Sequence, residues 1–268
     1  MSGRPKLLLV HGLFSGPSVW SRLIRELGDD ADCLPVELPG CGKTPLHDGP
    51  YSVEALTAWL ASVSEAERPT HVVGHSMGGI LALALAGREG SGLLSAAVIG
   101  LPIYDSPSDG RTYLGRRGQA VRAILRSHRL SHAACIVASR THGVWGEWAR
   151  RRWPYQPRGV LRAVVDHRSD AHGEALERII WAGHVERLAA ANRLPVTALH
   201  GEGDRAAPIA AVRAAAARWG WDLTVERDAN HQVLLERPRF TAEWIRTRVL
   251  AAEADETASA EGLQAAGG

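Results

Sequence analysis

Thr70-His71-Val72-Val73-Gly74-His75-Ser76-Met77-Gly78-Gly79 is the stretch that decides the architecture. It reads as a short buried strand, an abrupt turn holding one serine, and then a small-residue helix, Ile80 to Gly87. A serine in so sharp a strand-to-helix turn sits at strained backbone angles, and side chains two positions to either side would collide. Gly74 and Gly78 remove those side chains. A helix starting at Met77 points its first N–H groups at the place where negative charge would develop. A five-residue pattern of this kind also arises by chance, so its meaning rests on the surrounding chain.

Upstream, Lys6 to Val10 is a continuous apolar run ending in His11-Gly12, as expected of a strand buried on both faces of a parallel sheet. Leu13 to Pro17 follows as a loop, and Ser18 is placed to cap a helix through Trp20, Leu23, Ile24 and Leu27. Ala31 to Leu38 reads as a second strand, and Pro39 to Pro45 as a turn-rich loop. Ser52 opens a helix with amphipathic spacing at Leu56, Trp59, Leu60 and Val63, which ends near Arg68-Pro69. Downstream, Ala96 to Gly100, Pro195 to His200 and Asp222 to Glu226 are further short strands. Helical segments cover Ile209 to Trp219 and Phe240 to Ala252. Such alternation predicts an α/β fold, a mostly parallel six-stranded sheet flanked by helices, with right-handed crossovers.

The segment from Tyr104 to Leu194 interrupts the alternation. It is too long for a loop and reads as helices over Gly118–His128, Ser131–Ala138, Trp145–Trp153, Arg158–Asp166 and Glu174–Leu188. The expected organisation is a core of residues 1–103 and 195–253 with a helical cap inserted at 104–194. Its natural place is above the C-terminal ends of the strands, where open α/β sheets bind ligands. Residues 254–268 lack apolar periodicity and are expected to be disordered.

Composition narrows the function classes. An apolar share of 45% suits a chain with a full core, and a net charge of +2 is too small by itself to suggest a nucleic-acid partner, so none is expected. Cys33, Cys41 and Cys135 lack C-x-x-C spacing and read as reduced structural thiols. Leu7 to Val10 is too short for a signal peptide or a membrane span. A cytoplasmic protein, monomer or homodimer, acting on a small molecule and away from membranes is expected.

A serine hydroxyl is a poor nucleophile at neutral pH. It needs an imidazole to take its proton and a carboxylate to orient and stabilise that imidazole. Asp204 ends the turn His200-Gly201-Glu202-Gly203-Asp204 directly after the fifth predicted strand, and His231 follows the sixth in Asp228-Ala229-Asn230-His231-Gln232. Both would emerge at the same sheet edge as Ser76. Glu202 and Asp228 are rivals for the carboxylate, and His200 and His75 for the imidazole; loop position favours Asp204. His71 and His75 read as structural residues, and His11 as a brace for the loop after it.

Taken together, these motifs resemble those of the α/β-hydrolase superfamily over Lys6 to about Leu250, apart from the insertion. Gly74-His75-Ser76-Met77-Gly78 is similar to its G-x-S-x-G nucleophile elbow. His11-Gly12-Leu13-Phe14-Ser15-Gly16 is similar to its H-G loop. Glu37 to Thr44 is similar to its D-x-P-G-x-G-x-S/T loop, with Glu37 in place of the aspartate. The turn ending at Asp204 and a histidine loop closing on Glu236-Arg237-Pro238 complete the set. The resemblance implies a capped, serine-nucleophile member with catalytic Ser76, Asp204 and His231. It further implies an oxyanion hole from the backbone amides of Met77 and Leu13, Phe14 being the alternative second donor. No cofactor and no metal are implied. The two strands that open the largest members are expected to be absent.

The expected reaction is hydrolysis of a carboxylic ester, lactone or thioester through an acyl-enzyme. A carbon–carbon bond hydrolase or lyase/cyclase using the same triad is the alternative, since superfamily relatives with G-x-S-M-G-G elbows include both. A non-catalytic ligand-binding protein is a third reading. Serine at the elbow argues against dehalogenases and epoxide hydrolases, which use aspartate there. In the cap, Trp145, Trp148 and Tyr155 are candidates to line an apolar pocket. Arg151, within Arg150 to Arg152, is a candidate fork for a substrate carboxylate or phosphate, and Phe14 is a further substrate contact. The cap histidines His128, His132, His142, His167, His172 and His184 have no metal-ligand spacing.

Overall fold

The computed structural model describes residues 4–46, 49–115 and 173–251, together with the single positions 133, 137 and 151. Six strands form one sheet in the order β2-β1-β3-β4-β5-β6. They are β1 (Lys6–Val10), β2 (Asp32–Val36), β3 (His71–His75), β4 (Ser95–Ile99), β5 (Val196–Gly201) and β6 (Asp222–Glu226). Every pairing is parallel, with Val10 opposite Gly74 and Gly74 opposite Val98 at the end of the central strands. Their C-terminal ends therefore share one edge.

Alternation along these strands supplies two core layers. Leu8, Val10, Val72, Ala96 and Val98 face α2 (Val53–Glu67) and α3 (Met77–Ala86). Leu7, Leu9, Val73, Ala97 and Ile99 face α1 (Ser21–Leu27) and the C-terminal helices. Every residue of α3 is buried, which is why its sequence is apolar all round rather than amphipathic. Ser52 caps α2, its side chain accepting the Ala55 N–H at 3.3 Å.

Several sequence expectations shift. Ser18 does not cap a helix; it lies inside a 3₁₀ turn (Pro17–Trp20) whose preceding residue, Gly16, makes no side-chain cap. β2 stops at Val36 because the chain turns inward there, and the Leu38 N–H bonds to His11 Nε2 at 3.1 Å instead of a strand neighbour. The elbow helix starts at Met77, as its N–H groups aimed at developing negative charge require, and its last residue is Ala86 rather than Gly87.

Around the insertion, α4 (Pro107–Gly115) leaves the core. A π-helical turn (Leu176–Ile180) and α5 (His184–Ala191) return to it. The helix expected over Glu174–Leu188 is thus broken at Gly183, whose φ of 70° interrupts it. Of the other helices expected in the insertion only positions 133, 137 and 151 are described, each helical, and the rest, like the tail, lies outside the described residues. After β5 come α6 (Ile209–Trp219), then β6, α7 (Val233–Glu236) and α8 (Pro238–Ile245). Helix α8 begins earlier than expected, on a proline whose missing N–H costs nothing at a first helical position.

Candidate active site

Ser76 is the sole residue between β3 and α3, at φ 55° and ψ −121°. Non-glycine residues at such angles cost on the order of 1–3 kcal/mol and persist only where the surroundings hold them. Here the Ser76 N–H donates to Ile99 O and the Gly79 N–H to Ser76 O, both at 2.8 Å. The glycines permit the turn by close approach. A Cβ on Gly74 would lie 2.1 Å from Gly78 O, and one on Gly78 would lie 2.1 Å from Val10 O. Gly12 is likewise bare because a Cβ there would meet Ser76 Cβ at 2.8 Å.

Asp204 reaches the same edge on the turn after β5. Glu202 N–H donates to Glu226 O at 2.9 Å and Gly203 N–H to Ala229 O at 3.0 Å, stitching the aspartate loop to the histidine loop. A Cβ on Gly201 would lie 2.3 Å from Asn230 O, which accounts for the glycine-rich spelling of this turn. The histidine loop is closed by Glu236, whose carboxylate accepts the Asn230 N–H at 2.7 Å. Gly100, at φ 59°, lies beside His231, its missing Cβ only 3.3 Å from His231 Nδ1.

These placements form one continuous chain of hydrogen bonds. His231 Nε2 is 2.9 Å from Ser76 Oγ, and His231 Nδ1 is 2.7 Å from Asp204 Oδ2. The other carboxylate oxygen, Oδ1, accepts the N–H groups of Ala206 at 2.6 Å and Ala207 at 2.9 Å. Asp204 is buried, and burial alone would raise its pKa. Its contacts with His231, His200 and the Ala206 amide outweigh that and hold it below the usual carboxylate value. An ionised Asp204 keeps a proton on His231 Nδ1, so the Nε2 lone pair faces the serine hydroxyl, the geometry needed to accept its proton. The rivals stand elsewhere: Glu202 is exposed, and Asp228 is 80% exposed and paired with Arg237 at 3.5 Å.

Three buried histidines surround this chain. His11 donates through Nδ1 to Gly12 O at 2.8 Å and accepts the Leu38 N–H, bracing the loop that carries Leu13. Burial holds its pKa down at about 4. His75 donates through Nε2 to His231 O at 2.9 Å; burial, then the neighbouring His231, lower its pKa to about 3. His200 Nε2 lies 3.5 Å from Asp204 Oδ2 and 3.4 Å from Ala207 O, both acceptors, so this nitrogen carries the proton. Burial lowers the pKa of His200 as well. All three rings are therefore neutral near pH 7.

Met77 is buried at the first position of α3, where the N–H has no intrahelical acceptor. Leu13 is half-buried, and Phe14 is 38% exposed at φ 55°. Arg151 is exposed, while Trp145, Trp148 and Tyr155 lie outside the described residues. Among the described residues no helix is long and apolar enough to cross a membrane, and no group of His, Cys, Asp and Glu could hold a metal ion. Sequence reasoning did not find the Ala206 and Ala207 amides, because a backbone donor leaves no side-chain signature.

Comparison with known proteins bears on the family and the fold. The profile of the "Alpha/beta hydrolase family" matches residues 7–244. The chain is 29% identical over 249 residues to a pimeloyl-[acyl-carrier protein] methyl ester esterase of Aromatoleum aromaticum, covering 89% of this chain and 96% of that one. Among solved structures, a thermophilic esterase from Thermogutta terrifontis superposes with a TM-score of 0.71 at 22% identity, covering 94% of this chain and 92% of that one. The enol-lactonase of Burkholderia xenovorans superposes with a TM-score of 0.69 at 19% identity, covering 92% and 91%.

Proposed function

The chain belongs to the α/β hydrolase family, and from that premise we propose that it is a serine hydrolase of carboxylic esters, lactones or thioesters of small molecules. The observation that carries the reading is the unbroken chain from Asp204 through His231 to Ser76. Ser76 Oγ attacks the substrate carbonyl carbon as His231 Nε2 takes its proton, and Asp204 stabilises the resulting imidazolium. The tetrahedral oxyanion is held by the amides of Met77 and Leu13; one such donor contributes on the order of a hundred- to a thousandfold in rate. Its collapse passes the proton from His231 to the leaving alcohol or thiol and leaves an acyl ester on Ser76. Water, deprotonated by His231, then releases the acid and restores the serine. Atoms and charges balance without a cofactor.

Support for ester chemistry comes from the relatives, whose names are those of an esterase of a methyl ester, a thermophilic esterase and an enol-lactonase. Phe14, beside Leu13, is assigned as a substrate contact, and the 104–194 insertion as the cap that selects the acyl and leaving groups. A cytoplasmic site of action is part of the same reading.

The test is turnover of p-nitrophenyl esters of several acyl lengths, with labelling by a fluorophosphonate. Hydrolysis, a label on Ser76, and loss of both in Ser76→Ala are expected. Turnover that survives Ser76→Ala would overturn the assignment.

A further inference from the structure

Asp204 is held by more than the histidine it faces. The peptide group joining Ala206 to Ala207 donates its N–H to Asp204 Oδ1 at 2.9 Å, and its carbonyl, Ala206 O, accepts the Tyr104 hydroxyl. A second phenol, that of Tyr113, donates to the carbonyl of Asp204 itself at 3.3 Å. The two rings meet edge-on, 5.9 Å between centroids. Both tyrosines come from the start of the inserted segment, roughly a hundred residues before the aspartate turn, Tyr104 just after β4 and Tyr113 on α4.

We propose that Tyr104 and Tyr113 are positioning residues for Asp204, so that the stem of the insertion orients the acid of the triad. The inference rests on the reading of Asp204 as that acid. A peptide group whose carbonyl accepts a hydrogen bond is polarised, and its N–H becomes a better donor. Tyr104 thereby strengthens and aims the N–H that fixes Oδ1, which in turn fixes where Oδ2 meets His231. Tyr113 holds the preceding carbonyl of the same turn, so the turn cannot rotate without breaking a contact to the insertion.

The stem itself is clamped at a point removed from the aspartate. Gly110 lies against Trp181, a Cβ on it falling 2.0 Å from the indole, and the Arg111 guanidinium sits 5.7 Å from the centre of that ring while pairing with Glu177. This clamp joins the outgoing helix α4 to the returning turn through Arg111, Trp181 and Glu177. It supplies a control. Changes at Arg111 perturb the stem's stability, and changes at the phenols perturb the aspartate.

The experiment compares Tyr104→Phe, Tyr113→Phe and Arg111→Gln in the full chain, using ester turnover and the low-field proton signal of the His231–Asp204 hydrogen bond by nuclear magnetic resonance. Tyr104→Phe is expected to lower kcat about fivefold to tenfold, the range for one hydrogen bond, with KM little changed. Its low-field signal should move from the wild-type position. Tyr113→Phe should act in the same direction by less and provides the reading if the buried Tyr104 variant does not fold. Arg111→Gln should lower Tm while kcat and the signal stay at wild-type values. A signal and kcat unchanged in both phenylalanine variants, with Ser76→Ala still inactive, would overturn the positioning role and leave the serine mechanism standing. Turnover that survives Ser76→Ala would overturn both.

Discussion

Asp204→Asn is a near-isosteric change whose effect follows from which oxygen does what. Oδ1 accepts the N–H groups of Ala206 and Ala207, and Oδ2 accepts from His231 Nδ1. An asparagine must place its oxygen at the Oδ1 position, because turning its NH₂ there would leave two buried donors without an acceptor, at about 1–3 kcal/mol each. Its NH₂ then faces His231 Nδ1 and donates to it. The imidazole is forced to carry its proton on Nε2, which points at Ser76 Oγ and can no longer accept a proton. The productive orientation lies roughly 2–6 kcal/mol higher, and the stabilising negative charge is gone. A fall in kcat of about 10³- to 10⁴-fold is expected, with KM within a few-fold. Steady-state hydrolysis of a p-nitrophenyl ester measures it, and far-ultraviolet circular dichroism checks that the fold survives. A variant retaining a tenth of wild-type kcat would refute the argument.

The elbow makes a steric prediction. Gly78→Ala would place a Cβ 2.1 Å from Val10 O on a central strand that cannot retreat, whereas Gly79→Ala meets the tip of Leu101 at 3.0 Å, with Gly74 O at 3.4 Å and Val98 Cβ at 3.5 Å in ordinary contact. Chemical denaturation should show Gly78→Ala destabilised by about 3 kcal/mol or more and Gly79→Ala by under about 1 kcal/mol; equal effects would contradict the packing described. A second prediction concerns pH. His11 and His75 have folded-state pKa values of about 4 and about 3, below the value of about 6.5 expected when unfolded. The unfolded chain therefore binds more protons between those limits, and stability falls as pH drops from about 6.5 toward 4, by on the order of 1.4 kcal/mol per pH unit for each histidine. Asp204, its pKa depressed, adds stability above about pH 4 that is lost only below that range. Urea unfolding at pH 7, 6 and 5 should show the decline, and His75→Gln should flatten it; a slope unchanged by that substitution would rule His75 out as a source.

Much of the fold was legible from one-dimensional patterns. Apolar runs of strand length, helical spacing and punctuating glycines place β1 and β6 at their observed residues, and place α6 there too. These features are local: the cost of a Cβ in a tight turn, or of an exposed leucine on a helix, is set within a few residues. The local rules failed at Leu38, whose N–H was taken by the distant His11, and at Ser18, where the chain forms a 3₁₀ turn in place of a capped helix start.

For the site, the sequence alone determined the residue types and the sheet edge at which they emerge: Ser76 between glycines, and carboxylates and histidines after the fifth and sixth strands. Loop position and resemblance already favoured Asp204 with His231, and only the tertiary structure supplied the contacts that join them. Asp204, Glu202 and Asp228 are equally acidic in sequence, but the Ala206 and Ala207 amides turn one of them toward His231 while solvent and Arg237 take Asp228. It also brought Tyr104 and Tyr113 onto the aspartate turn from the far side of the insertion. The physical reason is the range of the interactions. Steric and amphipathic rules act along the chain and leave a spelling, whereas a backbone N–H or carbonyl that serves as a side chain's partner leaves none.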